Sequence, residues 1–206
     1  MLVKVCGITR LDDAHAAVRA GARAIGFVFW RGSPRIIDPY RARAIAATLP
    51  PFVTTVGVFV NQPVEFVNGV ASLVRLGAVQ LHGDETVEYA AAVVAPVIKA
   101  LTIDSQAFSD WPARVQVLLD AHDPARRGGT GLTIDWTAAA EIAKKRPILL
   151  AGGVTPDNVA DAVMRVRPFG IDVSSGVERA PGVKDHDRIT RLFEVLHATN
   201  DVATRS

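Results

Sequence analysis

Hydrophobic positions along the chain follow two alternating rhythms. Short continuous apolar runs, rich in β-branched residues, recur between longer stretches in which apolar side chains return every three or four places, the spacing of one helical face. Eight runs read as strands: residues 3–8, 24–29, 55–60, 78–82, 96–101, 115–121, 147–152 and 170–174. Asp38-Pro39, Asn61 ahead of Pro63, Thr155-Pro156 and Asp185 read as helix starts, and Gly21 and Gly77 as helix ends. Strands as uniformly apolar as Ile148-Leu-Leu-Ala and Val117-Leu-Leu predict burial on both faces, which points to a parallel sheet covered by helices.

Eight units in 206 residues predict a compact single-domain (β/α)8 barrel over 1–206, somewhat shorter than the roughly 250 residues usual for that fold. An open doubly wound sheet is the alternative. It carries its glycine-rich turn after the first strand, whereas the glycine-rich segments here follow late strands.

Composition narrows the partners. Twenty-three basic and 21 acidic residues give a net charge of +2 with no basic block, so neither nucleic acid nor an anionic membrane surface is expected. The single cysteine forms no internal disulfide, which favours a cytoplasmic location. The longest apolar run, 89–98, contains Pro96 and is too short to span a bilayer, and the N-terminus lacks the pattern of a targeting peptide.

In a barrel the chemistry belongs at the C-terminal strand ends. The polar residues there are Cys6, Ser33 and Arg35, Asn61, His82, Lys99, Asp120 and Asp172, with the segments Gly152-Gly153 and Ser174-Ser175-Gly176. The last two segments follow adjacent late strands. Backbone N–H groups freed by glycine and small residues make a phosphate cradle there, against the plainer reading of two tight turns. Arg35 is either a planar fork for a carboxylate or an ordinary loop residue. Cys6 is either an inert packed thiol or a functional thiol at the mouth; such a thiol is only a few per cent thiolate at pH 7, a cost of about 2 kcal/mol, and Lys4 on the same side of the strand would reduce it. Asp120 follows Val117-Leu-Leu, where burial favours a neutral acid able to donate a proton; the alternative is an ion pair with Arg126 or Arg127. His82 is either a substrate contact or a hydrogen-bonded bystander. His15, His186 and His197 are expected at the surface. No metal site is expected, since no His/Cys spacing suits one, and Gly128-Gly-Thr-Gly131 reads as a lid because it lacks the Lys-Ser/Thr of a nucleotide loop.

At these positions the chain resembles the phosphoribosylanthranilate isomerase family nearly end to end. The resemblance is carried by Lys4-Val-Cys-Gly-Ile-Thr9, Gly26-Phe-Val-Phe29 with Ser33-Pro-Arg35, Val56-Gly-Val-Phe-Val-Asn61, Val79-Gln-Leu-His-Gly-Asp84, Leu118-Leu-Asp120, Ala151-Gly-Gly-Val154, and Asp172-Val-Ser-Ser-Gly-Val-Glu178 with Pro181-Gly182. Ala121 and the segment 122–127 depart from the family pattern. The resemblance implies a (β/α)8 barrel and an Amadori rearrangement of a phosphosugar-anthranilate substrate in tryptophan biosynthesis, without cofactor. It implies Asp120 as acid and Cys6 as base. Arg35 would lie on the anthranilate carboxylate, Asp172 on the ribose hydroxyls or bridging amine, and Gly152, Gly153, Ser174, Ser175 and Gly176 around the phosphate. The related histidine-pathway isomerase is disfavoured by a cysteine where it has aspartate, and a non-catalytic phosphosugar-binding barrel is the rival from another class. Monomer and homodimer are both compatible with the sequence.

Overall fold

The computed structural model describes residues 1–103, 106–120 and 135–203. The Gly128–Gly131 lid and Arg126 and Arg127 lie outside them. Eight parallel strands close into a barrel in chain order: β1 (Leu2–Val5), β2 (Ala24–Val28), β3 (Thr54–Phe59), β4 (Ala78–Leu81), β5 (Val97–Thr102), β6 (Gln116–Asp120), β7 (Ile148–Leu150) and β8 (Gly170–Val173). Closure is made by β1 pairing with β8, where Lys4 stands opposite Asp172. The closed ring settles the choice between barrel and open sheet, and it puts the ends of β1 and β6 three places apart.

The described helices are α1 (Leu11–Ala20), α2 (Pro39–Ala46), α3 (Val64–Val74), α4 (Val87–Ala91), α5 (Trp136–Ala143), α6 (Val159–Val166) and α7 (His186–Ala203). Alternation decides the two cores. Side chains pointing outwards from the strands meet the helices in the larger core, while Ala24, Val56, Ala78, Ile98, Ala100, Leu118, Leu149 and Ala151 fill the barrel interior.

Local signals hold at some boundaries and shift at others. Asp38 caps α2 by accepting from the Tyr40 and Arg41 amides, Gly21 ends α1 at φ 121°, and the Asp185 side chain accepts from the Arg188 amide at the start of α7. Asn61 does not cap α3, which begins beyond Pro63; at φ 53° it turns its amide to Glu85 instead. α3 ends on Arg75 in the left-handed region rather than at Gly77, whose N–H is taken by the Thr55 carbonyl oxygen. α6 begins after Asn158, because Thr155 and Asn158 first bond to one another in a turn.

The β5–β6 connection contains a 3₁₀ turn at Gln106–Ser109 in place of a full helix among its described residues. Ser109-Asp-Trp-Pro112 interrupts any helical stripe, and Pro112 disfavours the helical region for the residue before it. Arg146 ties this connection down by donating to the carbonyl oxygens of Phe108 (2.9 Å), Trp111 (3.2 Å) and Val115 (2.7 Å). A two-stranded ribbon, β9 (Glu178–Ala180) and β10 (Val183–Lys184), follows β8 and leads into α7.

Candidate active site

Strand ends carry the chemistry-bearing side chains to one mouth. Cys6 lies one residue past β1, with its N–H donating to the Val173 carbonyl oxygen at 2.8 Å. Gly26 on β2 makes room for it: a Cβ there would stand 2.7 Å from Cys6 Sγ. Asp120 is the last residue of β6. His82, just past β4, donates its backbone N–H to Phe59 O at 2.9 Å and directs Nε2 to within 3.2 Å of Asp120 Oδ2. On its other side, Nδ1 is 3.0 Å from the amide nitrogen of Gln80.

Below the mouth, Lys4 and Asp172 form a buried ion pair at 2.9 Å. Burial pulls the Lys4 ammonium towards neutrality, but Asp172 and Cys6 overcome that and hold its pKa above the ordinary lysine value. Cys6 moves the other way. Burial pushes its thiol pKa up, with Lys4 and Lys184 opposing the rise and the Asp172 charge adding to it. Lys4 thus favours the thiolate in the direction expected from the strand alternation, without outweighing desolvation.

Arg35 is not an ordinary exposed loop residue. It is buried, and its guanidinium donates to both oxygens of Glu178, Nη2 to Oε2 at 2.8 Å and Nε to Oε1 at 3.0 Å. The fully buried Lys184 reaches the same carboxylate at 2.8 Å and the Ser174 carbonyl oxygen at 3.1 Å. Burial alone would raise the Glu178 pKa, yet the hydrogen bonds and charges of Arg35 and Lys184 hold it below the ordinary glutamate value. Burial pulls the Lys184 ammonium towards neutrality and holds its pKa below the ordinary lysine value, with the charge and hydrogen bond of Glu178 opposing the fall. Neither Glu178 nor Lys184 was singled out by strand-end position, because both lie in the ribbon beyond β8.

The two late-strand segments face one another. Gly152 and Gly153 take φ values of 78° and 66°, conformations that favour glycine, and Asn158 braces the turn by donating to the Gly153 carbonyl oxygen. Gly176 is pressed against the backbone after β7, where any Cβ would run into the Val154 carbonyl oxygen. Gly152, Gly153, Ser174 and Ser175 line a cavity of about 670 Å³, open mouth included, together with Cys6, Arg35, His82, Asp120 and Asp172. Gly176 supports this wall from behind.

A closed (β/α)8 barrel with a thiol, a carboxyl–imidazole pair and two backbone-rich turns around one mouth cavity has the architecture of a barrel enzyme working on a small molecule. Comparison with known proteins narrows the class. The chain belongs to the N-(5'-phosphoribosyl)anthranilate isomerase family, whose model matches residues 3–195. It is 51% identical over 194 residues to the N-(5'-phosphoribosyl)anthranilate isomerase of Geobacter metallireducens, covering 93% of this chain and 96% of the relative. The solved phosphoribosyl anthranilate isomerase of Thermotoga maritima superposes with a TM-score of 0.89 at 43% identity, covering 96% of this chain and 100% of that one. A further phosphoribosyl anthranilate isomerase structure, in complex with reduced 1-(o-carboxyphenylamino)-1-deoxyribulose 5-phosphate, has a TM-score of 0.85 at 42% identity, with coverage of 96% and 100%.

Proposed function

We propose that this chain isomerises N-(5-phosphoribosyl)anthranilate to 1-(2-carboxyphenylamino)-1-deoxy-D-ribulose 5-phosphate, an Amadori rearrangement in tryptophan biosynthesis, with Asp120 as general acid and Cys6 as general base. The observation that carries the reading is that one cavity is lined by both residues in a chain of this family. Asp120 protonates the ribose ring oxygen, the C1′–O bond breaks, and the anthranilate nitrogen's lone pair forms an iminium. Cys6 as thiolate removes the C2′ proton, whose electron pair passes to the iminium and gives an enolamine. Return of the Cys6 proton to C1′, with the C2′ hydroxyl proton passing to the Asp120 carboxylate, yields the ketone and restores both groups. The proton stays within substrate and protein, so the reaction needs no cofactor.

The Arg35 guanidinium, anchored on Glu178 at the cavity wall, suits an anionic substrate. With its Nε and Nη2 turned to Glu178, Arg35 has its remaining N–H groups for the anthranilate carboxylate. Asp172, held by Lys4, is placed to accept from ribose hydroxyls or the bridging amine. Gly152, Gly153, Ser174 and Ser175 offer the phosphate backbone N–H groups. The enzyme is a monomer or a homodimer, and we assign it to the cytoplasm.

The test follows loss of phosphoribosylanthranilate fluorescence with wild type, Cys6→Ala and Asp120→Asn. Wild-type turnover and a fall of about 10²- to 10⁴-fold in each variant are expected for general acid and base residues. An inactive wild type that still binds the reduced product analogue would make the chain a phosphosugar-binding barrel instead.

A further inference from the structure

The mouth cavity is not uniform around its rim. On the side of β2 and β3 its lining is apolar, with Val28, Trp30, Val58 and Val60. On the side of β7 and β8 it is made of Gly152, Gly153, Ser174 and Ser175, whose backbone N–H groups suit an anion. In the closed ring β1, whose end carries Cys6, lies between β8 and β2. The order around the mouth is therefore anion cradle, thiol, apolar wall.

Among the described residues of that lining, Trp30 is the largest apolar side chain. It is half-buried and packs against the cluster of Cys6, Val28 and Val58. Its indole lies over Gly32, where any Cβ would run into the ring, so the glycine gives the ring its place. The loop is pinned at both ends: the Phe29 N–H donates to Val58 O at 2.9 Å, Ser33 N–H to Trp30 O at 3.1 Å and Ile37 N–H to Val28 O at 3.0 Å. Gln62 Nε2 adds a hydrogen bond to Phe29 O at 3.0 Å. The same loop carries Arg35, which lines the cavity while anchored on Glu178. An indole takes no part in the proton transfers, and its remaining surface gains from a ligand that covers it.

On the isomerase reading, we propose that Trp30 is a specificity-determining residue: its indole is the shelf on which the aromatic ring of the substrate lies, with Arg35 of the same loop taking the ring's carboxylate. The substrate is ordered as phosphate, sugar and aromatic ring, and the mouth repeats that order from β8 through β1 to β2. With the phosphate in the cradle and the ring on Trp30, the sugar carbons between them pass Cys6. Two aromatic groups brought together gain attraction beyond the area they cover, and a pinned loop loses little freedom when the ring arrives. The shelf thus selects an aromatic amine at C1′ over a sugar phosphate that lacks one.

Binding rather than turnover tests this. Two ligands are compared: the reduced product analogue, followed by its own fluorescence, and D-ribitol 5-phosphate, which keeps the phosphate and reduced sugar without the ring and is measured by displacement. Trp30→Ala should bind the analogue about ten- to thirtyfold more weakly than wild type, and D-ribitol 5-phosphate within about twofold. Trp30→Phe keeps an aromatic face and should stay within about threefold for both. Trp30→Leu keeps an apolar neighbour for Val28 and Val58 and carries the test should the alanine variant not fold; it should bind the analogue about fivefold more weakly. Equal losses for the two ligands would make Trp30 a support of the whole mouth and overturn the proposal, as would analogue binding unchanged in Trp30→Ala or Trp30→Leu. An inactive wild type whose hold on the analogue depends on Trp30 would count against the isomerase reading and leave the shelf standing. An active wild type whose analogue binding is indifferent to Trp30 would do the reverse.

Discussion

Lys184→Met is the sharpest test of the charge cluster behind Cys6. The lysine has no exposed surface, and its ammonium donates to Glu178 Oε1 at 2.8 Å and to Ser174 O at 3.1 Å. Methionine keeps most of the volume and removes the charge. Breaking a buried ion pair by deleting one partner costs about 3–5 kcal/mol, because the other charge is stranded. Glu178 is not fully stranded, since Arg35 still donates to both its oxygens, so the lower end applies: about 3 kcal/mol. With an m-value of about 2 kcal/mol per molar, the urea midpoint should fall by about 1.5 M. In a Glu178→Gln background the same substitution should cost less by about 1–2 kcal/mol, since the two side chains are in contact. Lys184 also favours the Cys6 thiolate, so Lys184→Met should slow alkylation of Cys6 by iodoacetamide at pH 8 in the folded protein. A midpoint within 0.2 M of wild type, roughly 0.4 kcal/mol on that scale, would refute the argument that the buried cluster contributes to stability.

Three further outcomes follow from particular contacts. Gly26→Ala places a methyl group 2.7 Å from the present position of Cys6 Sγ; the displaced thiol should lower kcat about 100-fold with little change in KM, and steady-state kinetics check it. Glu178 has a depressed pKa in the fold, so its contribution to stability is complete above the ordinary glutamate value of 4.5 and is lost as pH falls through the lower folded value. Urea titrations from pH 6 downwards should therefore show the stability gap between wild type and Glu178→Gln closing below that pH, and a gap constant to acid would contradict the assignment. Arg146→Ala removes charged hydrogen bonds to four carbonyl oxygens of the β5–β6 connection and should lose about 2–4 kcal/mol of stability by the same measurement, with kcat unchanged because the residue does not line the cavity.

The barrel was legible because burial on both strand faces and a helical rhythm between them leave few architectures. Cys6, His82, Asp120 and Asp172 were legible for a related reason: polar residues that close apolar strands are rare enough to stand out. Gln80 was hidden by the same logic, since a polar residue inside a strand gives no sign of whether it faces a cavity or a neighbour. The joining of Arg35 to Glu178 spans 143 positions, and no local pattern encodes which acid meets which base at that distance. Arg146 was equally silent, because its partners are backbone carbonyl oxygens, which have no sequence signature. The absent helix after β5 left a faint mark in Asp110 and Pro112, outweighed by the regularity of the other units.

The central claim is that Cys6 removes the C2′ proton from a sugar whose ring Asp120 has opened. It is tested most directly by single-turnover mixing of wild type and Cys6→Ala with phosphoribosylanthranilate carrying deuterium at C2′. Wild type should form product with deuterium slowing the step, while Cys6→Ala should bind the reduced product analogue normally and convert substrate about 10³-fold more slowly. Conversion by Cys6→Ala within tenfold of wild type, with the same isotope effect, would assign the proton transfer to another group.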